Sequence, residues 1–277
     1  MSSFFVAILS PSKLMNETFQ EFKGEPTLPS LTKETETLCA ELKKVSAEEW
    51  KQKMKITDEL ALNTQARFQK WNKKDLSKGI PAALLFSGEA FKSLDAKSFS
   101  KSNWKTAEQS LRILSGFYGI LKPTDTALPY RLMVGTPYKM AAGKTLYSYW
   151  SETVTKKLEN EIAPKGYLLN LSSDEYFKII DTKNFDRKII HFKFLQKSGG
   201  DWKSIPTFSK QARGAMARFV IQSNPKSIED LQAFNLEDYK FSKSQSTEDT
   251  LVFRRIPKSV VETLARNGWM NKKVKTA

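Results

Sequence analysis

Leu146, Tyr149, Trp150, Val154, Leu158 and Ile162 recur at three- and four-residue intervals, which places all six on one face of a helix running from Thr145 to Ile162. The pattern stops before Pro164, and Tyr167 to Leu171 then reads as a strand. A helix handed directly to a strand buries its apolar stripe on the sheet that strand joins, so this junction commits the chain to layered α/β architecture. The rest of the sequence repeats the alternation. Phe4 to Leu9 is a short apolar run closed by a Ser-Pro turn, as a buried strand would be. Helices follow: Ser30 can cap one carrying Leu31, Thr35, Leu38 and Leu42, Ser46 and Glu49 have capping-box spacing for a second, and Ile56 to Trp71 makes a third. Pro81 to Phe86 is another apolar run, and Trp104 to Leu114 keeps helical spacing up to Ser115-Gly116. Lys188 to Leu195 and Ser204 to Phe208 read as strands, with a helix starting near Ser209.

The expected fold class is therefore α/β, grading into mixed α+β: a single compact domain over residues 1–255 with a mixed sheet and surrounding helices, then a basic C-terminal tail over 256–277. No repeat or low-complexity linker divides it. From Arg254 onward the cations Arg254, Arg255, Lys258, Arg266, Lys272, Lys273 and Lys275 face one carboxylate, Glu262. Such a tail can settle on phosphates, although a merely solvated C-terminus is the commoner outcome for such segments; removal from Lys258 onward is expected to weaken binding while leaving the fold intact.

Function classes narrow quickly. No apolar run approaches the roughly 18 to 20 residues of a membrane helix, and no cationic segment precedes Phe4 to Leu9, so neither a membrane partner nor a secretory leader is expected and the cytoplasm is the expected compartment. The lone cysteine, Cys39, cannot close an internal disulfide and is expected to face the core. With His191 the lone histidine, a zinc or iron–sulfur centre lacks ligands, no tight acidic cluster advertises magnesium, and no cofactor is expected. Lys and Arg total 45 against 30 Asp and Glu, a net charge of +15 that draws polyanions and makes nucleic acid the leading partner; lysines that merely solubilise the surface are the plainer reading.

Several strings could carry that chemistry. Ser10-Pro11-Ser12-Lys13 follows a strand, at the edge where open sheets place ligands. Its Ser-x-x-Lys spacing recurs at Ser98 to Lys101 and Ser102 to Lys105, so Lys13 reads better as an anion anchor than Ser10 as a nucleophile. Leu111 to Gly119 ends a helical pattern in two close glycines, Gly116 and Gly119, as a helix-hairpin-helix does; a buried strand from Phe117 to Leu121 is the competing reading. Tyr130-Arg131 pairs an aromatic ring with a guanidinium, suited to a base and its phosphate. Gly143-Lys144-Thr145 is no phosphate loop, since the glycine required five residues earlier is Tyr138. Ser172 and Glu175 have capping-box spacing, and Glu175, Tyr176 and Lys178 crowd that strand-to-helix turn. Lys210 and Arg213 fall in the first turn of the following helix, where they oppose its dipole unless an anion is bound. His191 alternates with Ile190, Phe192 and Phe194, which puts it on the polar face of its strand.

Ser10 to Lys13, Leu111 to Gly119, Pro129 to Arg131, Asn170 to Lys178 and Ala212 to Gly214 occur in an order that resembles the YaaA family, over roughly residues 4 to 255. The resemblance implies a compact α/β domain with a basic cleft and a helix-hairpin-helix-like element, binding of double-stranded DNA, and protection against peroxide with less free iron. Carried over by position, it places Lys13, Arg112, Gly116, Tyr118, Gly119, Arg131, Lys178, Lys210 and Arg213 at the DNA. Two residues of the kind iron favours, Cys39 and His191, make any iron effect indirect. The chain departs from the family at Ser87-Gly88-Glu89-Ala90-Phe91, where Lys-Gly-Asp-Val-Tyr is common, and so lacks a tyrosine hydroxyl. A second reading is an enzyme acting on a nucleotide or nucleobase, a small-molecule ligand held in a strand-end pocket with Lys13 and Glu175 as its catalytic pair.

Overall fold

The computed structural model describes residues 2–18 and 21–257; the tail from residue 258 lies outside the described residues, so what is expected of it stands on sequence alone. The strands are β1 (Ser3–Leu9), β2 (Ile80–Pro81), β3 (Leu111–Ser115), β4 (Gly119–Leu121), β5 (Thr126–Ala127), β6 (Ile162–Asn170), β7 (Lys188–Ser198), β8 (Asp201–Lys203), β9 (Lys240–Phe241) and β10 (Thr250–Arg255). The helices are α1 (Thr32–Leu42), α2 (Ala47–Met54), α3 (Asp58–Lys70), α4 (Ala82–Leu85), α5 (Glu89–Leu94), α6 (Lys101–Ser110), α7 (Leu146–Glu161), α8 (Asp174–Phe177), α9 (Pro206–Ser223) and α10 (Ile228–Leu231).

Eight strands form one mixed sheet in the order β4-β3-β1-β6-β7-β10-β9, with β8 paired to β7. The five from β3 to β10 run parallel, and β4, β8 and β9 are antiparallel additions. A parallel sheet must be covered on both faces, which is why β1 reads as an unbroken apolar run: Val6, Ala7, Ile8 and Leu9 are all buried. α6 and α9 pack on β1, and α7 packs on β6 and β4. α7 holds five of the six periodic side chains of the sequence pattern, the sixth, Ile162, opening β6, and the Thr145 hydroxyl accepts from Ser148 N at 3.2 Å as the cap. Cys39 is buried, as expected.

β1 sits between β3 and β6, so the chain leaves it toward one neighbour and returns later on its other side. That is a topological switch point, and the carboxyl ends of β3, β1 and β6 flank it. β6 ends at Asn170, paired with His191, whereas β7 and β10 continue in register to Gln196 and Arg255. The sheet is therefore stepped. One strand stops where its neighbours rise past it.

The structure overturns three local expectations. Leu111 to Gly119 is not a helix-hairpin-helix: α6 ends at Ser110, β3 begins at Leu111, and Gly119, with φ of +70°, starts the antiparallel strand β4. Pairing of Leu111, Arg112 and Ile113 with Ala7, Ile8 and Leu9 claims the segment for the sheet. The strand expected at Ser204 to Phe208 belongs to α9, because Pro206 takes the helix-initiating position that suits its fixed φ. Arg213 is thus the eighth helical residue, beyond the first turn, and the dipole conflict assigned to it does not arise. The cap of α8 is Ser173, which accepts from Tyr176 N, and not Ser172, whose hydroxyl donates to Asn170.

α9 reaches the sheet edge by close approach to α5. A side chain on Gly214 would sit 2.6 Å from the carbonyl carbon of Ala90, closer still to its oxygen, so only glycine permits this contact. Gln211 Nε2 donates to Glu89 Oε2 at 2.7 Å across the same interface.

Candidate nucleic-acid interface

The carboxyl ends of β1 and β6 are tied directly together. Ser10 Oγ accepts from Ser173 N at 2.8 Å and lies 3.1 Å from Ser173 Oγ, which joins the loops after both strands. Ser12 packs against Gly88, the residue that opens α5, and α5 is held to α9. Tyr130 N donates to Met15 Sδ at 3.4 Å, and residues 132 to 134 pass against Gly116 just beyond β3. These contacts tie together the segments that carry Lys13, Arg131, Lys210 and Arg213. Lys13 and Lys210 are exposed and the two arginines half-buried.

Arginine pairing separates two of these from the rest. Arg67, Arg112, Arg187, Arg218 and Arg255 hold carboxylates, and Arg254 lies over the Trp202 ring. Among the described residues, only Arg131 and Arg213 have a guanidinium with no hydrogen-bond, ion-pair or aromatic partner. Burial pushes the Arg213 guanidinium below its ordinary value, and the charge of Asp174 acts the other way. A sheltered cation that no carboxylate meets at ion-pair distance is costly, and an external anion would offset that cost.

Arg213 faces a notch of about 340 Å³ formed where β6 stops and β7 continues, lined also by Asn170, Ser172, Asp174, His191 and Ser209. Its hydrogen bonds fix the chemistry. Asn170 Oδ1 accepts from Ser172 N at 3.1 Å and Ser172 Oγ at 2.7 Å, so its amide nitrogen faces His191 Nδ1 at 3.2 Å. Nδ1 must accept, which leaves the proton of the neutral ring on Nε2. His191 lies on the less buried face of β7, as alternation predicts, but it also belongs to this notch, which sequence reading missed. The missed signal was a strand ending in Asn170 with a histidine in register beside it, visible only once strands are paired.

Five expected contacts lie elsewhere. Arg112 is 4% exposed, donating to Glu161 Oε2 at 2.7 Å and to the carbonyls of Glu108 and Leu111, and so has no surface to offer a duplex. Tyr118 is fully buried, its hydroxyl accepting from Trp71 Nε1 and donating to the Leu128 carbonyl. Gly116 and Gly119 are buried in the strand pair. Tyr130 and Tyr176 are also core residues, so the Tyr130 ring has no face to offer a base. Lys178 is exposed on a separate cleft beside α7, among Glu152, Glu159 and Asp181. Glu175 Oε1 accepts from Gly135 N at 3.3 Å, and no ion pair joins it to Lys13.

Among the described residues no three of His, Cys, Asp and Glu converge as a metal site requires, and no helix is long and apolar enough to cross a membrane. Burial pushes the Cys39 thiol up to about 11, only partly opposed by Lys43. At neutral pH its thiolate is then about one part in ten thousand, too scarce for peroxide chemistry. Native protein at pH 7 is therefore expected to resist iodoacetamide and hydrogen peroxide at Cys39, and urea-unfolded protein to react, as read by intact mass. Rapid labelling of the native form would contradict this burial.

A mostly parallel sheet covered by helices places the chain among the α/β proteins. It belongs to the peroxide stress protein YaaA family, whose model matches residues 5–245. A UPF0246 protein of Marinomonas sp. (strain MWYL1) is 38% identical over 249 residues, covering 90% of this chain and 96% of the relative. One of Polynucleobacter necessarius subsp. necessarius (strain STIR1) is 36% identical over 252 residues, 90% of this chain and 98% of the relative. Another, of Idiomarina loihiensis, is 36% identical over 253 residues with the same coverage.

Proposed function

We propose that this peroxide stress protein binds duplex DNA by gripping phosphates along the strand-end edge, and limits oxidative damage while it is bound. The observation that carries the reading is the pair of sheltered guanidinium groups, Arg131 and Arg213, that have no partner among the described residues, on segments tied to those that carry Lys13 and Lys210. A net charge of +15 supplies the long-range attraction. Phosphate contacts carry no base information, so binding should depend little on sequence. Any lowering of free iron is indirect.

Four phosphate contacts release about 0.9 counterions each, so affinity for duplex DNA should fall by roughly two orders of magnitude between 50 and 200 mM salt. Arg131→Ala and Arg213→Ala should each weaken binding about tenfold or more and flatten the slope by about one unit. Fluorescence titrations at several salt concentrations read both effects. A flat salt response, or full affinity in the double variant, would remove the edge as the DNA site.

A further inference from the structure

We infer that the notch between the end of β6 and the continuing β7 receives a single nucleotide unit, its phosphate on Arg213 and its base edge between Asp174 and His191. The inference deepens the proposed DNA binding, on which it rests for one source of that nucleotide.

Size comes first. A volume of about 340 Å³ lies near the lower end for small-molecule sites and admits one nucleotide, not a duplex. Polarity then selects the ligand. Arg213 and the rim cation Lys193 call for an anion, yet the Asp174 carboxylate in the same lining would repel a phosphate that came alone. Asp174 and Arg213 form no ion pair with each other, so both keep their hydrogen-bonding capacity for a guest. A carboxylate needs a donor, and the ring and exocyclic N–H groups of bases supply it. His191 offers the complementary function, because Asn170 holds its Nδ1 and leaves Nε2–H for a base acceptor. Phe177 meets the imidazole edge-to-face at 5.3 Å and keeps the ring in place. Mononucleotides combine an anion with a flat edge of mixed donors and acceptors, and few small metabolites match all three side chains together.

Position supplies the rest. Arg213 lines the notch and Lys210 precedes it by three residues on α9, so a strand gripped by these two cations passes close to the notch. A nucleotide that is unpaired leaves the stack at little cost, whereas one in a perfect duplex must break pairing and stacking first.

Two duplexes test this, each with one 2-aminopurine, either paired with thymine or placed in a single-nucleotide bulge. Wild-type protein should prefer the bulged duplex at least tenfold, with a change in 2-aminopurine emission as the base enters the notch. Asp174→Asn and His191→Gln should bring the ratio of the two affinities close to one, with melting curves to establish that each variant folds. Isothermal titration with each of the four deoxynucleoside 5′-monophosphates forms the second arm. Binding of a monophosphate, lost in Asp174→Asn, with no preference for the bulge supports the notch and assigns it to free nucleotide. Absence of duplex binding together with such monophosphate binding removes the DNA reading and keeps the notch. Duplex binding with equal affinity for both DNAs and no monophosphate binding overturns the inference and leaves the DNA interface standing. A ratio unchanged in both folded variants also overturns it.

Discussion

Arg112→Ala is expected to cost about 3 to 5 kcal/mol of folding stability, because it strips the main counter-charge from a largely buried carboxylate. Arg112 Nε meets Glu161 Oε2 at 2.7 Å, and Lys157 lies 3.1 Å from the other carboxylate oxygen. Burial pushes the Glu161 carboxyl up, but Arg112 and Lys157 together outweigh it and hold the group below its ordinary value. The sign follows from that. A depressed pKa contributes stability above the unfolded value and loses it as pH falls through the folded one, so acid should narrow the gap between wild type and variant. Two backbone carbonyls, of Glu108 and Leu111, also lose their donor. Urea denaturation at pH 7 and at pH 4 reads both effects. The double change Arg112→Met with Glu161→Leu should recover much of the loss, since a buried pair replaced by apolar groups of similar volume is often neutral. Lost DNA affinity with unchanged stability would instead put Arg112 back at the DNA.

Arg112 also marks where the sequence stops being legible. Nothing near it in the chain shows Glu161, and a cation beside two glycines resembles a phosphate contact until β3 is laid against β1. Trp104, Ala107, Leu111 and Leu114 fit one helix by spacing, and no glycine or proline marks the change to strand at Ser110-Leu111. Pairing with β1, about a hundred residues away, overrides the local pattern. By contrast α7 was legible throughout, because its stripe, its Thr145 cap and the proline beyond it all agree.

The site divides in the same way. The position of Lys13 in the loop after β1 was readable, because a strand followed by a turn places its loop at a sheet edge whatever the partner strands. Arg213 drew notice through a dipole conflict that does not exist, since Pro206 starts α9 earlier than Ile205 and Phe208 imply. Its lack of a partner is a fact of three dimensions. The notch was invisible, for it exists only through the offset between Asn170 at the end of β6 and the further run of β7. Tyr118 and Tyr130 misled for a related cause: a tyrosine hydroxyl serves a core as well as a surface once a partner is at hand, here Trp71 Nε1 and Ser115 Oγ.

Gly214→Ala is expected to be the most damaging single-methyl change in the protein, with a loss of about 3 kcal/mol or more, at the upper end of overpacking costs. The added carbon would meet backbone, 2.6 Å from the carbonyl carbon of Ala90 and nearer to its oxygen, so no side chain can rotate away to relieve it. Relief requires α5 and α9 to part. The intrinsic preference of alanine for helices, worth about 1 kcal/mol over glycine, pulls the other way and is too small to compensate. Parting the helices would also break the 2.7 Å bond from Gln211 to Glu89 and displace Arg213, one residue away, from the strand-end edge. The variant should therefore lose DNA affinity as well as stability, although Gly214 offers a ligand nothing. Ala90→Gly provides the control: it removes a different atom and leaves the Gly214 clash with the carbonyl in place, so it should not rescue. Thermal melts and duplex titrations on the same preparations read the pair of effects. A Gly214→Ala protein as stable as wild type would mean that α5 and α9 pack less closely than described and would weaken the placement of Arg213 itself.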